Sequence, residues 1–460
     1  MRISHHYSQI KAAPIQILQA SERILEEQRS KKKMRKIKRQ IKKARGRGHW
    51  YEQHHILHLM RHLLPLWIIG ALMSASNTYA QVLENIFQED PYFDSIQIRS
   101  LRAEVDAIAF FHDNEYTSQV QKGYSLPGVR LTPHLAYNPL HRINIELGAS
   151  MLIFNGANKY PCYAYHDIGT WKGEQYQSGA HVLPWARLQA HFDHLDIVIG
   201  NLYGGSNHRL SAPLYNAEQN LSADPEMGIQ LLSRSKHFQT DTWLNWQSYI
   251  FKEASHQEAF TVGEHAQILW GDKNATWQWI TPIQLTIQHR GGEQDTTSLG
   301  VQTLCNASLG IRVEGKNISR KINHFAAQTN AIASYQQAGN LWAFNTGFAI
   351  HTGAEMTISR HINLAADYVH VPKQFVSLFG NPYFGTISLK KPGISYHGMN
   401  VIRLAAGYQY TFAKNYTLGT NLEVFSNHTK AKGNQPSLHE TNFSFGLYFR
   451  VAPSFLIKKF

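Results

Sequence analysis

The sequence comprises 460 residues, and its 45 Lys and Arg against 32 Asp and Glu give a formal net charge of +13. Most of the excess lies in residues 1–59, which hold 15 basic and 4 acidic side chains, whereas residues 81–460 hold 29 and 28. This charge distribution excludes a nucleic-acid-binding function for the mature chain. The two cysteines, Cys162 and Cys305, are too few for a disulfide framework, although they could form a single disulfide bond.

Residues 1–59 form a basic leader whose densest part is the tract from Lys31 to Arg47. One interpretation is that translation begins at Met60, or that the leader is removed together with the segment that follows. The other is a basic arm that meets RNA or an anionic membrane surface. We favour the first, because a secretory signal normally begins at a Met with basic residues beside it, as Met60 does.

Residues 60–80 have the layout of a secretory signal peptide. Arg61 and His62 precede the apolar run Leu63–Met73, and a small-residue segment follows and ends at Ala80. The apolar run is too short to cross a bilayer as a helix, for which about 20 residues are needed. The sequence therefore predicts export, with cleavage between Ala80 and Gln81.

Beyond residue 81 the chain repeats one pattern, in which apolar and polar residues alternate. Alternation of this kind is typical of strands that have one apolar and one polar face. In residues 142–153 the odd positions are apolar and the even ones mainly polar, and residues 402–412 and 416–424 carry their apolar side chains at even positions. The last such segment is 442–451, with its apolar residues at odd positions.

The length of these segments separates a membrane barrel from a soluble β-sandwich, which alternates in the same way. Their 9 to 14 residues match the ~9 to 11 that cross a bilayer at a tilt, and exceed the usual ~5 to 6 of globular strands. Short connections such as 139–141 and 413–415 alternate with long polar ones. We therefore predict an all-β fold, a transmembrane antiparallel barrel of about 16 strands (14 to 18), with short periplasmic turns and long extracellular loops.

The predicted strands begin near residues 96, 127, 142, 182, 195, 227, 239, 258, 275, 298, 320, 340, 361, 398, 415 and 441. Aromatic residues at the ends of the lipid faces, including Trp277, Trp279 and Tyr408, predict an interfacial girdle. Glu264 falls on a lipid face, and we expect a register shift or β-bulge to correct its position.

The exported leader, the alternating segments and the end of the chain together resemble Gram-negative outer-membrane β-barrel proteins of the porin type. The terminal features are the alternating run Asn442–Phe449 and a final Phe460. The resemblance implies a barrel over residues 81–460, with Phe460 as an assembly signal read by the barrel-assembly machinery. Pro453 and Lys458 depart from the family pattern, so a closing strand at 441–452 with a short tail is the alternative.

A barrel of this width normally encloses water, which makes passage of solutes the expected function. Charged side chains on the predicted lumen faces would then set a weak ion preference, unless each is merely solvated or paired with a neighbour. These candidate lumen charges are Arg102, Glu104, Asp106, Arg142, Glu146, Arg187, Asp367, Arg403, Glu423 and Arg450.

Two long loops are rich in aromatic residues, which suit either a slide for sugar rings or the packed core of a loop; the second is the commoner arrangement. One set is Tyr160, Tyr163, Tyr165, Trp171 and Tyr176, and the other is Phe375, Phe379, Tyr383 and Phe384. The loop at 204–226 is long and polar, and the sequence leaves open whether it folds into the lumen.

The sequence therefore predicts an outer-membrane porin-like channel for small hydrophilic solutes, in contact with outer-membrane lipid and open to homo-oligomerisation. A plugged structural or adhesive barrel that acts through its loops is the alternative. A barrel enzyme is less favoured, because Ser206, Asn207 and His208 are the only suggestive group and no G-x-S-x-G motif occurs. We expect no enzyme activity, no catalytic residues, no cofactor and no metal site.

Overall fold

A computed structural model describes residues 84–89, 91, 98–154, 179–249, 256–272, 275–292, 300–391, 393–429 and 437–460. All of them lie in the unit Thr78–Phe460. The leader, the signal segment with Ala80 and Gln81, Cys162 and the aromatic set 160–176 lie outside the described residues. The interpretations given for these segments therefore remain predictions.

The described residues form a single sheet of antiparallel strands. The strands are β1 Ser100–Glu115, β2 Tyr124–Leu140, β3 Ile143–Phe154, β4 Gly179–His191, β5 Leu195–Asn201, β6 Met227–Arg234, β7 Phe238–Ser248, β8 Ala259–Trp270, β9 Trp277–Arg290, β10 Gln302–Lys316, β11 Ile322–Ala338, β12 Thr346–Ile358, β13 Ile362–Val371, β14 Met399–Phe412, β15 Tyr416–Thr429, β16 His439–Val451 and β17 Ser454–Lys459. Two short helices, α1 Glu84–Phe87 and α2 Gln219–Ser222, and two 3₁₀ turns, Gly205–His208 and Pro382–Phe384, complete the elements.

The sheet closes on itself because β1 pairs with β2 along one edge and with β16 and β17 along the other. Pro453 separates β16 from β17, since proline has no N–H to donate to a ladder, yet its carbonyl accepts a 3.1 Å bond from Val105 N. β16 and β17 therefore occupy one position in the wall. The described wall has sixteen positions, which confirms the predicted antiparallel barrel of about 16 strands.

The two faces of the wall divide as the alternation predicts. Leu147, Leu404 and Phe443 are 60%, 53% and 48% exposed on the outside, whereas the neighbouring Glu146 and Arg403 are buried on the inside. An apolar outer band of this kind matches the hydrocarbon region of a bilayer, in which a closed barrel pairs backbone N–H and C=O groups between neighbouring strands. The protein is an outer-membrane barrel.

The short turns and the aromatic girdle lie at the same rim. Trp277, Trp279, Tyr408 and Phe412 are all exposed beside the turns that precede β9 and follow β14. Phe412 stacks on Tyr416 across one of these turns, with ring centroids 5.8 Å apart. The predicted interfacial girdle is confirmed for these residues.

The predicted strand starts fall within four residues of the observed ones except at β12, which begins at Thr346 rather than near 340. The reason lies in the preceding connection, where Trp342 turns inward and is buried. Its backbone N–H donates a 2.8 Å hydrogen bond to the Gln336 side chain. Trp342 therefore belongs to the loop before β12, although its apolar side chain fitted the strand pattern.

The expected repair of Glu264 by a register shift or bulge is wrong. Glu264 lies directly opposite Thr242 in an unbroken part of the β7–β8 ladder, on the outer face, and accepts a hydrogen bond from the Thr242 hydroxyl. The irregularity in this ladder lies between Trp246 and Ser248. A polar partner on the neighbouring strand, rather than a change of register, accommodates the carboxyl group.

The closing strand does not end in a loose tail, because β17 pairs with β1 through residues 454–459. Phe460 then donates its backbone N–H to Arg99 O at 2.7 Å and packs edge-on against Tyr137, with ring centroids 5.7 Å apart. Lys458 lies over the Phe460 ring at 4.8 Å. Both departures from the family pattern are thereby accommodated within the wall.

Within the described segments, no helix has the length and apolar character required to span a bilayer.

Candidate functional site

The connection between β5 and β6, residues 202–226, folds into the lumen; we call it the inner loop. Most of its residues are buried although it is a connection. Ser211 donates its backbone N–H and its hydroxyl to the Gln284 side chain on β9, at 3.1 and 3.0 Å. Tyr124 on β2 donates its hydroxyl to Glu218 at 2.6 Å. Contacts with opposite parts of the wall therefore hold the inner loop across the lumen.

The connection between β13 and β14, residues 372–398, enters the lumen from the same end; we call it the plug loop. Asn306 on β10 donates to Val376 O at 2.8 Å and accepts from Leu378 N at 2.7 Å. Tyr383 stacks against Phe425 of β15, with centroids 5.2 Å apart. The aromatic residues of this loop are buried, so they form a packed core rather than an exposed slide for sugars.

The two loops contact each other inside the barrel. Asn216 N donates a 3.0 Å bond to Phe379 O, and Ser377 donates its hydroxyl to Pro213 O. Between the inner loop and the wall remains a cavity of about 130 Å³, lined by both apolar and charged side chains. Its apolar residues include Phe87, Ile108, Leu202, Leu210 and Phe379, and its charged ones include Asp106, Arg130, Arg187, His208 and Glu226.

His208 of the inner loop lies in the wall of this cavity between two carboxylates. Its Nδ1 is 2.8 Å from Asp241 Oδ2 on β7, and its Nε2 is 3.0 Å from Glu226 Oε2 at the end of the inner loop. The imidazole stacks on the Trp243 ring at a centroid distance of 3.6 Å and an angle of 9°. Only 2% of His208 is exposed, so these contacts replace its solvent almost completely.

The two carboxylates determine the charge of His208. Burial alone lowers the pKa of a histidine, but the charges of Asp241 and Glu226 outweigh it and raise the pKa of His208 to about 10. Burial raises the pKa of Glu226, whereas the His208 cation and the Gly205 N–H that it accepts lower it overall. At neutral pH the pair is therefore an imidazolium and a carboxylate, a proton donor beside a proton acceptor.

Ser206 does not pair with His208, although the two are close in sequence. The Ser206 hydroxyl accepts a 2.6 Å bond from Asn220 Nδ2, whereas the His208 ring faces the two carboxylates. The Ser-Asn-His group thus supplies a histidine but no serine–histidine pair. The partners that matter, Glu226 and Asp241, lie 18 and 33 residues further along the chain.

Arg187 and Arg130 place positive charge against the cavity. Arg187 lies 3.3 Å from Glu146 and 3.9 Å above the Tyr203 ring, and its Nη2 donates to Leu202 O of the inner loop at 3.0 Å. Arg130 donates to Asn220 O at 2.6 Å. Both guanidinium groups hold the backbone of the inner loop and, at the same time, offset negative charge near the cavity.

Nine of the ten predicted lumen charges lie on the inner face, and for these the paired alternative describes the structure better than free charges do. Ion pairs join Arg102 with Glu104, Arg187 with Glu146, Arg403 with Asp367 and Glu423, and Arg450 with Asp106.

Arg142 is the exception among the predicted lumen charges. It lies in the turn between β2 and β3, with its side chain 57% exposed, and pairs at 2.8 Å with Asp193 in the next turn. The alternation was extended one residue too far into this turn. Arg142 therefore belongs to the short-turn rim and not to the lumen.

Metal ligands are sparse in the part of the chain that the structure describes, where no group of three or more His, Cys, Asp or Glu could hold an ion. His191 at the end of β4 pairs with Asp196 on β5, and His194 lies in the short turn between these two strands. The three leader histidines, His54, His55 and His58, lie outside the described residues.

The closed sixteen-position wall and the apolar outer band define an outer-membrane barrel, and His208 lies inside it between two carboxylates. Residues 93–460 match the lipid A 3'-O-deacylase-type family, and the chain belongs to that family. The expectation that the protein is not an enzyme is therefore wrong, because the family is an enzyme family. No curated protein matches the chain.

Solved outer-membrane proteins resemble the chain in structure. OccAB4 of Acinetobacter baumannii is 12% identical over 79% of this chain and 100% of its own, with a TM-score of 0.41. OpdK of Pseudomonas aeruginosa is 11% identical over 78% and 100%, with a TM-score of 0.43. An anion-selective porin from Comamonas acidovorans is 11% identical over 77% and 99%, with a TM-score of 0.39.

Proposed function

We propose that the protein is an outer-membrane esterase of the lipid A 3'-O-deacylase type, and that His208 and Glu226 are its acid–base pair. The observation that carries the proposal is the position of His208 at the cavity, between Asp241 and Glu226, in a chain of this family. Asp241 positions the ring through Nδ1, so that Nε2 and Glu226 present a proton and a carboxylate together.

Ester hydrolysis by this pair uses one water molecule. Water attacks the ester carbonyl carbon while Glu226 takes one of its protons, and the bond from that carbon to the sugar oxygen breaks. His208 gives its Nε2 proton to the departing alkoxide, which becomes a hydroxyl group. The products are a carboxylic acid and the deacylated glycolipid, and the Glu226–His208 hydrogen bond returns the proton to the imidazole.

The cavity lining suits an acylated, anionic substrate. Phe87, Ile108 and Leu210 offer contact to an acyl chain, while Arg130 and Arg187 provide positive charge for a phosphorylated sugar. The volume of about 130 Å³ is below the ~300 Å³ of sites that enclose a drug-sized ligand. Entry of a chain therefore requires a movement of the inner loop away from the wall.

Deacylation is tested with the refolded full-length protein in vesicles that contain lipid A, with mass spectrometry of the lipid products. We expect wild-type protein to release one acyl chain, and H208Q and E226Q to be about 10² to 10⁴ times slower. The matched control is H194Q, at an exposed turn on the opposite rim. An inactive wild type contradicts the deacylase proposal, whereas an H208Q variant as fast as wild type contradicts only the assignment of the pair.

A second candidate function is passive or weakly selective passage of small hydrophilic solutes. A wall of sixteen positions, which is wide enough to enclose water, favours it, whereas the inner loop and plug loop occupy much of the lumen and favour a plugged barrel that acts through its loops. Single-channel conductance in a planar bilayer separates the two. Reproducible current steps support passage, and an inserted, heat-modifiable barrel without current contradicts it.

We also propose that residues 60–80 direct export and are removed after Ala80, that residues 1–59 are absent from the mature protein, and that the barrel-assembly machinery inserts it. Homo-oligomerisation is part of the same proposal. The mass of the protein isolated from outer membranes tests the cleavage, because a mature chain beginning at Gln81 supports it. A chain that retains residues 1–59 contradicts it, and size measurement in detergent tests the oligomer.

A further inference from the structure

A row of polar residues crosses four adjacent strands on the outer face of the barrel, near the rim with the long connections. His370 on β13 lies directly opposite Asn400 on β14, Asn400 lies opposite His428 on β15, and His428 lies opposite His439 on β16. The next outward residue down the wall is the apolar Ile402 on β14, whereas on β15 and β16 the polar Ser426 and Thr441 come before apolar residues such as Phe443. The row therefore marks the upper edge of the apolar band.

The two histidines at one end of this row point their ring nitrogens at each other. His428 Nδ1 and His439 Nδ1 are 2.9 Å apart, and both residues are exposed. His370, in contrast, has its Nδ1 at 2.7 Å from the Asn400 side-chain oxygen, so its ring is engaged by an amide. Only the His428–His439 pair brings two imidazoles together in this row.

The contact between the two Nδ1 atoms is a hydrogen bond, in which one ring donates its Nδ1 proton to the lone pair of the other. The same two nitrogens become two lone pairs directed at one point when both rings carry their proton on Nε2. Ser426 Oγ is 3.0 Å from His428 Nε2 and accepts from it in the tautomer that carries its proton on Nε2, in which the Nδ1 lone pair is directed at His439. This is the arrangement of a metal-binding imidazole whose second nitrogen is held by a hydrogen bond.

We propose that His428 and His439 form a two-histidine site for a divalent transition-metal ion, Cu²⁺ or Ni²⁺, on the outer surface of the barrel. An ion about 2.05 Å from each nitrogen sees the 2.9 Å pair at about 90°, the angle between neighbouring ligands in tetragonal Cu²⁺ and Ni²⁺ sites. Tetrahedral Zn²⁺ needs the nitrogens further apart. Water completes the coordination, because the site is exposed.

The site is separate from the His208 centre, because His428 and His439 face outward whereas His208 faces the cavity. An ion here joins the end of β15 to the start of β16, on the two sides of residues 430–436. Binding needs both rings neutral with their protons on Nε2, and protonation of either imidazole competes with the ion, so affinity falls as the pH is lowered. Metal binding is therefore expected to stabilise this pair of strands without a role for the acid–base pair.

The test is a Cu²⁺ titration of the untagged full-length protein refolded in detergent, followed by calorimetry and electron paramagnetic resonance. The variants are H428Q and H439Q, and the matched control is H370Q from the same row. We expect wild type and H370Q to bind one more ion than either variant, in a site with two nitrogen ligands. Equal stoichiometry in all four proteins overturns the proposal.

Two further measurements use the same proteins. Cu²⁺ is expected to raise the thermal unfolding midpoint of wild type and H370Q more than that of H428Q or H439Q, because binding to the folded state stabilises it. S426A should lower the affinity of this site about tenfold through loss of the second-nitrogen hydrogen bond. An unchanged affinity in S426A overturns the role assigned to Ser426.

Discussion

Arg403 and Asp367 occupy directly opposite positions on β14 and β13, and Arg403 Nε donates a 2.9 Å hydrogen bond to Asp367 Oδ2. A second nitrogen of Arg403 donates to Glu423 on β15 at 3.0 Å, so one guanidinium joins three strands. Arg403 and Asp367 are 3% and 8% exposed. The inner wall is held by paired charges that are largely removed from water.

Breaking this pair is expected to destabilise the barrel. R403M leaves the buried Asp367 carboxylate without its main cation, and removal of one partner of a buried pair costs about 3 to 5 kcal/mol. The matched control is R142M, which breaks the exposed Arg142–Asp193 pair and should cost about 0 to 1 kcal/mol. Urea unfolding of both variants in lipid vesicles measures the difference, and equal losses would contradict the argument.

The His208 pair makes stability depend on pH in the alkaline range. Because the pKa of His208 rises from 6.5 to about 10 on folding, its contribution is complete below about pH 6.5 and is lost as the pH rises through about 10. Glu226 contributes in the opposite sense, above its unfolded pKa of 4.5, because folding lowers its pKa. Wild type should therefore lose stability relative to H208Q between pH 6.5 and 10.

The free energy of unfolding of wild type and H208Q, measured at several pH values across this window, checks the sign. H194Q serves as the control and should follow wild type throughout. A constant difference between wild type and H208Q from pH 6.5 to 10 would show that His208 carries no extra proton in the folded state.

A substitution at Gly263 on β8 tests the stacking of His208 on Trp243. A Cβ at this position would lie 2.0 Å from the Trp243 ring, so G263A must displace the indole from beneath the imidazole. We expect a loss of about 1 to 3 kcal/mol from overpacking and a change in tryptophan fluorescence. Gly300 is the control, because nothing lies within 4 Å of its Cβ position and G300A should behave as wild type.

The deacylation rate of G263A then shows how much of the activity depends on the Trp243 stack and how much on the hydrogen bonds of His208. If the Trp243 ring fixes the imidazole plane, G263A lowers the rate in vesicles while the protein still folds. A folded G263A variant with wild-type activity would show that Asp241 and Glu226 hold His208 without the stack.

Asn306 controls the attachment of the plug loop. N306A removes both of its buried hydrogen bonds, to Val376 and Leu378, at about 1 to 3 kcal/mol for each group left unpaired. We expect the plug loop to detach from β10 and the conductance of inserted protein to rise. Q374A is the control. Gln374 also belongs to the plug loop, but its hydrogen bond to Thr346 O on β12 is exposed to solvent.

Conductance that is equal in wild type, N306A and Q374A would show that the plug loop does not close the lumen. Limited proteolysis of the same samples reports whether the plug loop has detached from the wall. It distinguishes a barrel that carries no current although the loop has detached from one in which the loop remains in place.

Phe460 offers a test of the predicted assembly signal. F460A should lower the amount of folded barrel in cells, while spontaneous refolding from urea into detergent changes little. The ring contacts that it loses are those with Tyr137, worth about 0.5 to 1.5 kcal/mol, and with the exposed Lys458. F455A is the control, because Phe455 is equally exposed but lies within β17 rather than after it. Equal losses for F460A in cells and in vitro would indicate a purely structural role.

The sequence predicted the wall well because a lipid-facing strand repeats the same constraint every second residue. Residues 402–412 show this: the even side chains meet lipid and the odd ones meet the lumen, so periodicity alone assigns both faces. Prediction from the alternating pattern failed outside the strands, where side chains no longer alternate between lipid and lumen. Arg142 in a turn and the inward-pointing Trp342 in a loop are the two examples. At Glu264 a polar neighbour satisfied a side chain that periodicity marked as misplaced.

By itself, the sequence determined that the chain forms an antiparallel barrel of about sixteen strands with an apolar outer face, since period and segment length are local properties. Only the tertiary structure decided that the inner loop enters the lumen and that His208 meets Glu226 and Asp241. The same holds for His428 and His439, which lie opposite each other only once the register of β15 and β16 is fixed. Contacts of this kind depend on how distant segments are aligned, and no pattern along one segment contains that information.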